Sequence, residues 1–314
     1  MESNAGMMIW QLIIAALAIL AVSIMGWVLI HRTRHVRRKR RLQKRRELLN
    51  ASFIHYLVDE RDLTHATGYD RILKLAGKGH QQEIIDVAHT IVTHVRGNTA
   101  KRVRAFYVST GLVEVSLKKL TSRDHYQLIT GMRELAAMEY KEGVTYLLPL
   151  LHHTDPIVRT EAHIAVVHLA DDPLFFMKKV KNFVIWEQIN VLNALKMRTA
   201  NSIPPAGTWL SSPDILVVQF CLLVIVQFDQ RECLPEIHEL LKSDNQRRVY
   251  LALLAIQKLK DSRSQRPVKE LLLSAKNQTV RKLAMTVLHE LSGPVQWLAI
   301  SEELKKTTHL RLTA

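Results

Sequence analysis

Histidine is the residue type whose abundance in this chain most suggests metal or acid–base chemistry. The chain holds 15 histidines, and its close pairs are His89/His94, His152/His153 and His163/His168. A step of five residues turns a helix by about 500°, so the imidazoles of the two wider pairs do not share a helix face. The HExxH pattern is absent, and Cys221 and Cys233 are too far apart for a CxxC pair. The sequence therefore predicts no metal site.

Other catalytic patterns are equally weak. The segment LAGKGHQQ contains glycine and lysine without the spacing of a phosphate-binding loop, and no GxSxG nucleophile motif occurs. The carboxylates of Glu134, Glu139 and Glu142 are spaced as on solvated helix faces. Trp186, Trp209 and Trp297 are more typical of core or inter-repeat packing than of a ligand platform. We therefore expect no enzymatic activity and no cofactor.

The amino-terminal segment is long and apolar enough to predict a membrane anchor. The 24 residues from Met7 to Ile30 carry no charge, and as a helix they would span about 36 Å against a hydrocarbon core of about 30 Å. Trp10 and Trp27 lie near the two ends, as in an aromatic belt. A cleaved signal peptide would carry its basic residues before the apolar run, where this chain has only Glu2.

A basic run follows the apolar segment and predicts its orientation. Between His31 and Arg46 there are ten lysines and arginines and no acid. Under the positive-inside rule the amino terminus lies outside, and the chain is predicted to be a single-pass protein of the inner (cytoplasmic) membrane. Such a run also attracts anionic lipid, by about 1 kcal/mol per basic residue. The predicted membrane-interface residues are Trp10, Trp27, Arg32, Arg34, Arg37, Arg38, Lys39, Arg40, Arg41, Lys44, Arg45 and Arg46.

The net charge of +15 comes mostly from this run. Without its ten basic residues and Glu2, 34 basic and 28 acidic residues remain, which disfavours nucleic acid as a partner.

Glycine and proline are scarce, at 11 and 9 residues, and helix formers are abundant. The composition therefore predicts an all-α protein. The anchor also contains small residues of the kind that pack between membrane helices, so a homo-oligomer remains an alternative. They are Ala15, Ala16, Ala18 and Ala21.

An internal repeat runs through the rest of the chain. Its frame is Asp or Asn, then Arg or Val four residues later, then a small residue, then a large apolar one. Frames begin at Asn98, Asp155, Asp214, Asn245 and Asn277. The Arg-equivalent positions are 102, 159, 218, 249 and 281, and weaker units fit the two wide gaps at 124–138 and 182–195. An amphipathic stretch precedes the strong units, so each unit is predicted to be a helix, a turn and a second helix capped by the Asp or Asn.

This frame resembles HEAT repeats of the short bacterial type, most clearly in LLPLLHHTDPIVRTEAHIAVVHL. The resemblance implies an α-solenoid of stacked helix pairs with a carboxyl-terminal capping helix. The predicted domains are a transmembrane helix at 1–30, a basic juxtamembrane linker at 31–65 and the solenoid at 66–314. By resemblance, the residues of the repeat turns are structural, and they include Asn98, Arg102, Asp155, Arg159, Asn277 and Arg281.

The combination of anchor and solenoid predicts a scaffold that holds a protein partner, itself membrane-associated, at the cytoplasmic face of the membrane. The layout resembles bacterial accessory proteins of membrane glycosyltransferases. An alternative is a nucleic-acid-binding solenoid resembling the alkylpurine DNA glycosylases, and a third interpretation is a bilin-lyase type of enzyme. The groove of the DNA-binding alternative would include Arg102, Arg104, Arg247, Arg248, Arg281 and Lys282. The loop at 202–214 is a further predicted contact point.

Overall fold

The computed structural model describes residues 2–58, 68–77, 79–180, 183–198, 203–292 and 297. All regular elements in these ranges are helices, which confirms the predicted all-α class. The contacts divide the chain into a first unit, Met1–Val115, and a second unit, Ser116–Ala314. The domain boundaries at residues 30 and 65 stay a prediction.

The first unit is built on one long helix. Its helices are α1 (Glu2–Val58), α2 (Tyr69–Ala76), α3 (Gln81–His94), α4 (Asn98–Ser109) and the start of α5 (Leu112–Lys119). The end of α1 packs on α2, α3 and α4. Phe53, Tyr56 and Phe106 are fully buried there, with ring centroids 5.4 to 6.5 Å apart. The predicted linker at 31–65 is therefore helical as far as Val58, and Leu49, Phe53 and Tyr56, spaced by four and three residues, form its buried face.

Most side chains of the predicted membrane anchor are not described, namely those of residues 1–19, 21 and 22, which include Trp10. In the part of the chain that is described, no helix combines the length and apolarity needed to cross a membrane. From Ser23 onwards, eight uncharged residues precede the basic run, against about 20 for a span. On this finding the predicted single-pass inner-membrane localisation is wrong, and the lipid partner that depended on it is unsupported.

The second unit alternates short first helices with longer second helices. The second helices are α6 (His125–Ala137), α8 (Pro156–Leu169), α9 (Ile185–Met197), α10 (Ile215–Gln227), α12 (Gln246–Leu259) and residues 278–292. The first helices include α7 (Val144–Leu147), α11 (Leu234–Leu240) and α13 (Gln265–Ser274), and 3₁₀ turns replace them at Phe175–Lys178 and Ala206–Ser211. The two weak units predicted at 124–138 and 182–195 are both second helices, α6 and α9.

The second helices form a row in chain order. Contacts join α6 to α8, α8 to α9, α9 to α10, and α10 to α12. The Gln257 side chain of α12 continues the row by donating a hydrogen bond to Glu290 at 2.8 Å. Each second helix thus contacts its neighbours in sequence, as in a helical repeat array. The predicted stack of helix pairs is confirmed in this unit.

Side-chain caps set the start of the second helices. The carboxylate or amide oxygen of each cap accepts a backbone N–H from the first turn, as the repeat predicted, at Asp124, Asp155, Asp214, Asn245 and Asn277. Helix α9 departs from this pattern because Val184 occupies the cap position. There the carboxylate of Glu187 accepts the Val184 N–H at 3.2 Å. Because Val184 stands where the other units have Asp or Asn, the repeat pattern of the α9 unit is weak in the sequence.

Gly131 marks a close approach between α6 and α5. A Cβ atom added at Gly131 would lie 2.8 Å from the carbonyl oxygen of Ser116 and 2.9 Å from Lys119 Cβ. We expect Gly131→Ala to lower the free energy of unfolding by about 1–3 kcal/mol, because the two helices must move apart. Urea denaturation followed by circular dichroism measures this loss. Gly143→Ala is the matched control, since its new Cβ would meet nothing closer than 3.4 Å, and an equal loss in both variants would contradict the prediction.

Candidate functional site

A buried ion pair joins the second helices α8 and α9. Arg159 Nη2 lies 2.5 Å from Glu187 Oε1, and the Glu187 side chain has no exposed surface. Arg159 Nη1 also donates to the carbonyl oxygen of His153 at 2.8 Å. Burial raises the pKa of Glu187, and the guanidinium of Arg159 opposes that shift. The guanidinium of Arg159 therefore compensates the buried negative charge of Glu187.

A histidine and a glutamine complete this buried cluster. His163 is one turn after Arg159 and is 1% exposed, with its ring centroid 5.3 Å from those of Phe176 and Phe183. Burial and the nearby charge of Arg159 lower the pKa of His163 to about 3, so its imidazole is neutral at pH 7. Gln188 donates to the carbonyl oxygens of Phe183 and Leu216, the latter in α10.

This cluster is closed to solvent and joins side chains on α8 and α9 to the backbone of α10. His163, Glu187 and Gln188 are all buried, which leaves no surface for a substrate to reach them. Within the described ranges, no group of three or more metal-ligating side chains occurs. The arrangement therefore joins repeats and fixes their register.

The other predicted repeat-turn residues differ in what they contact. Arg102 of α4 donates to the carbonyl oxygens of Tyr56 and Leu57 at the end of α1. Asp155 caps α8 and also lies 2.9 Å from His125 Nδ1 of α6. Asn277 caps the helix at 278–292.

Two of these residues do not make the contacts that the repeat frame predicted. Helix α4 begins at Asn98 itself, and Gly97, with φ of 72°, occupies its cap position. Asn98 therefore provides no side-chain cap. Arg281 is exposed, and within the described chain its guanidinium has no ion pair or hydrogen bond. The same repeat position is thus buried and paired in α8 but exposed in the helix at 278–292.

The basic run on α1 is partly used for packing. Arg45 and Arg46 lie 3.5 and 3.7 Å from the carboxylates of Glu83 and Asp86 on α3. Trp10 and Arg38 lie outside the residues whose side chains are described. The remaining predicted interface residues are exposed, namely Trp27, Arg32, Arg34, Arg37, Lys39, Arg40, Arg41 and Lys44.

The basic residues expected to line a nucleic-acid groove are divided between the two units. Arg102 and Arg104 are in the first unit, and the other four are in the second. The Arg102 guanidinium is bound to α1 backbone, and the Arg248 guanidinium donates to the carbonyl oxygens of Ser212 and Pro213. These contacts occupy the two arginines and disfavour that alternative. The two hydrogen bonds of Arg248 also hold one end of the loop that was predicted as a contact point. Ser212 and Pro213, whose carbonyl groups accept these bonds, belong to residues 203–213 of that loop.

Exposed apolar side chains single out one face of the second unit. Of the large hydrophobic side chains described as exposed in this unit, all but Tyr146 lie on second helices or at the cap of one. They are Tyr126, Ile157, Val184, Ile185, Trp186, Ile189, Met197, Leu223, Tyr250 and Met285. The pattern could not be read from hydrophobicity alone, because the same residue types also fill the core.

Three of these side chains share one position in the repeat. Tyr126, Ile157 and Trp186 are the second residues of α6, α8 and α9, and they are 72%, 52% and 51% exposed. The His125–Asp155 and Arg159–Glu187 pairs join the first turns of these three helices. We call the second residues of the six second helices the second-position row. It continues with Leu216, Arg247 and Thr279.

The carboxylates on the described second helices are all engaged. Glu161 pairs with Arg133, and Glu290 accepts from Gln257. Glu187 is paired with Arg159, and Glu134 accepts from Ser116 and Lys119. Gln257 is neutral, so Glu290 keeps its negative charge. The exposed cations on these helices that have no carboxylate partner within the described chain include Arg247, Lys258 and Lys282.

Comparisons with known proteins give a weak structural likeness. No family model and no curated protein matches the chain. The complex of CpcE and CpcF of phycocyanin lyase from Nostoc sp. is 15% identical, with 80% of this chain and 99% of that chain covered and a TM-score of 0.32. Computationally designed armadillo repeat proteins for modular peptide recognition are 15% identical, with 70% and 98% covered and a TM-score of 0.28. An engineered protein is 16% identical, with 81% and 80% covered and a TM-score of 0.33. At these TM-scores the likeness carries no argument, and the helical repeat rests on the contacts within the chain.

Proposed function

We propose that this protein is a non-enzymatic repeat scaffold that binds a protein partner on the exposed face of its second helices. The observation that carries the proposal is the concentration of exposed apolar side chains on those helices, among them Tyr126, Ile157 and Trp186 on three helices that contact one another in turn. Contiguous exposed apolar surface marks interaction sites, and Trp and Tyr are the residue types most enriched among binding hot spots.

The buried cluster supports a binding role over a catalytic one. His163 and Glu187 are buried, and the pair of Glu187 with Arg159 joins α8 to α9. They hold the exposed row rigid from below, which lowers the entropy lost when a partner binds. The expected link to membrane glycosyltransferases has no support in these contacts, and we leave it out of the proposal.

A photo-crosslinking amino acid placed at residue 186 tests the proposal. Irradiation of the producing cells should give one reproducible protein adduct from position 186 and none from position 146, which is exposed on a first helix. With the crosslinked partner purified, Trp186→Ser should weaken binding about 30-fold, as for a hot-spot side chain worth about 2 kcal/mol.

The control is Tyr146→Ser, which removes an aromatic side chain of similar exposure from the opposite helix of a pair and should leave the affinity unchanged. Circular dichroism checks that both variants keep their helix content. The same adducts from positions 146 and 186, or equal affinity in the Trp186→Ser variant and the parent, would refute the proposed face.

A further inference from the structure

A cavity of about 390 Å³ lies between the loop at 203–213 and helix α11. The loop contributes the 3₁₀ turn Ala206–Ser211, which stands where other units have a first helix. A cavity of this volume falls within the range of small-ligand sites, about 300–1,000 Å³. The loop that the sequence predicted as a contact point therefore forms one wall of a site of ligand size.

The cavity is apolar inside and acidic towards solvent. Leu210 and Leu240 line it and are 2% and 6% exposed, so they form its inner surface. Glu236 and Glu239 of α11 line it as well, and both are exposed. An apolar surface next to carboxylates suits a ligand with a methylene stem and a cationic head. Hydroxyl groups also line the cavity, at Thr208, Ser211 and Ser243.

Gly207 brings the carboxyl group of Glu236 against the loop. A Cβ atom added at Gly207 would lie 3.2 Å from Glu236 Cδ and 3.2 Å from Cys233 Sγ, closer than ordinary van der Waals contact. The missing side chain therefore leaves room for this carboxyl group. Within the described chain Glu236 has no ion pair or hydrogen bond, so both of its oxygens are able to accept N–H groups of a ligand.

One cation lines the cavity, and it is bound to the loop. Arg248 Nη2 donates to the carbonyl oxygens of Ser212 and Pro213, at 2.6 and 3.1 Å. The lining thus holds two carboxylates and one guanidinium, and its formal net charge is −1. This balance favours a cation over an anion as the ligand.

The charges beside the cavity do not reverse this preference. Glu239 lies 2.6 Å from Lys242, but both side chains are 69% exposed, and exposed pairs of this kind are weak. Asp244 and Arg247 follow in the next turn, and their opposite charges cancel. Glu236 is therefore the carboxylate that selects the ligand.

We propose that this cavity binds a primary alkylammonium group. The methylene stem packs on Leu210 and Leu240, and the ammonium group donates hydrogen bonds to Glu236. Both a free amine and a lysine side chain of a partner have this chemistry. The site does not depend on the face proposed above, because its lining comes from the loop, α11 and the turn that follows, together with Arg248.

Three probes of one shape test the site on the full chain, namely n-pentylamine, n-pentanol and pentanoate. Saturation-transfer difference NMR titrations measure their affinities. We expect pentylamine to bind about fivefold more tightly than pentanol, the effect of one partly exposed charge pair, and pentanoate not to bind. Glu236→Gln keeps the shape of the side chain and removes its charge, so it should weaken pentylamine binding about fivefold.

Glu270→Gln is the matched control. Glu270 is an exposed carboxylate that lines a second cavity of about 390 Å³, between α11 and α13, but it is paired with Arg266 at 3.0 Å. Both Glu270→Gln and Trp186→Ser should leave the affinity for pentylamine unchanged. Equal affinities of pentylamine and pentanol, or of the parent and Glu236→Gln for pentylamine, would overturn the proposal.

A lysine peptide separates the two sources of the ammonium group. If acetyl-Gly-Lys-Gly-amide binds more tightly than pentylamine and loses affinity in Glu236→Gln, the ligand is a lysine side chain. If pentylamine binds more tightly and loses affinity in the same variant, the ligand is a free amine. Absence of binding by both probes would show that the cavity takes no alkylammonium group.

Discussion

Replacing Arg159 by alanine should lower the free energy of unfolding by about 3–5 kcal/mol, because the carboxylate of Glu187 is then buried without its partner. The Glu187 side chain is fully buried, and Arg159 is 16% exposed, so water does not replace the lost guanidinium. The same change also removes the hydrogen bond to the carbonyl oxygen of His153. Urea denaturation monitored by circular dichroism at pH 7 measures the loss.

Arg281→Ala is the matched control for this prediction. Arg281 occupies the same position in its repeat but is exposed, so its removal should change the free energy of unfolding by less than about 0.5 kcal/mol. The double variant Arg159→Met/Glu187→Leu, which removes both charges, should regain most of the stability lost in Arg159→Ala. Similar losses of unfolding free energy in Arg159→Ala and Arg281→Ala would show that the buried ion pair stabilises the fold no more than an exposed arginine does.

Acidification should destabilise the protein through His163. The folded pKa of His163 is about 3, below the unfolded value of 6.5, because the ring is buried and Arg159 lies near it. The unfolded chain therefore binds a proton that the folded chain excludes, and the stability contributed by neutral His163 is complete above pH 6.5. That contribution declines as the pH falls from 6.5 towards 3, by about 2 kcal/mol between pH 7 and pH 5.

Comparison of variants isolates this contribution from the titration of carboxylates. His163→Leu, which cannot be protonated, should lose about 2 kcal/mol less than the parent when the pH falls from 7 to 5. Urea midpoints at several pH values measure both proteins. Parallel pH profiles for His163→Leu and the parent would exclude His163 as the source.

The helix starts were largely predictable because capping is a local interaction. Asp or Asn before a helical pattern accepts N–H groups of the next turn, so Asp155, Asn245 and Asn277 could be assigned from sequence alone. Asn98 was assigned on the same pattern, but the helix there begins one residue earlier in the frame, after Gly97. Helix α9 was a weak unit because Glu187 satisfies the Val184 N–H from inside the helix.

The sequence by itself determined that the chain is helical and that a unit of two helices repeats at about 30 residues, since propensity, periodicity and capping act over a few neighbouring residues. Only the tertiary structure decided which repeat arginine is buried against a carboxylate and which is exposed, because Arg159 and Arg281 have the same local frame. It also decided which apolar side chains form the row headed by Tyr126. Burial depends on what the neighbouring repeats cover, and that is not encoded in any single unit.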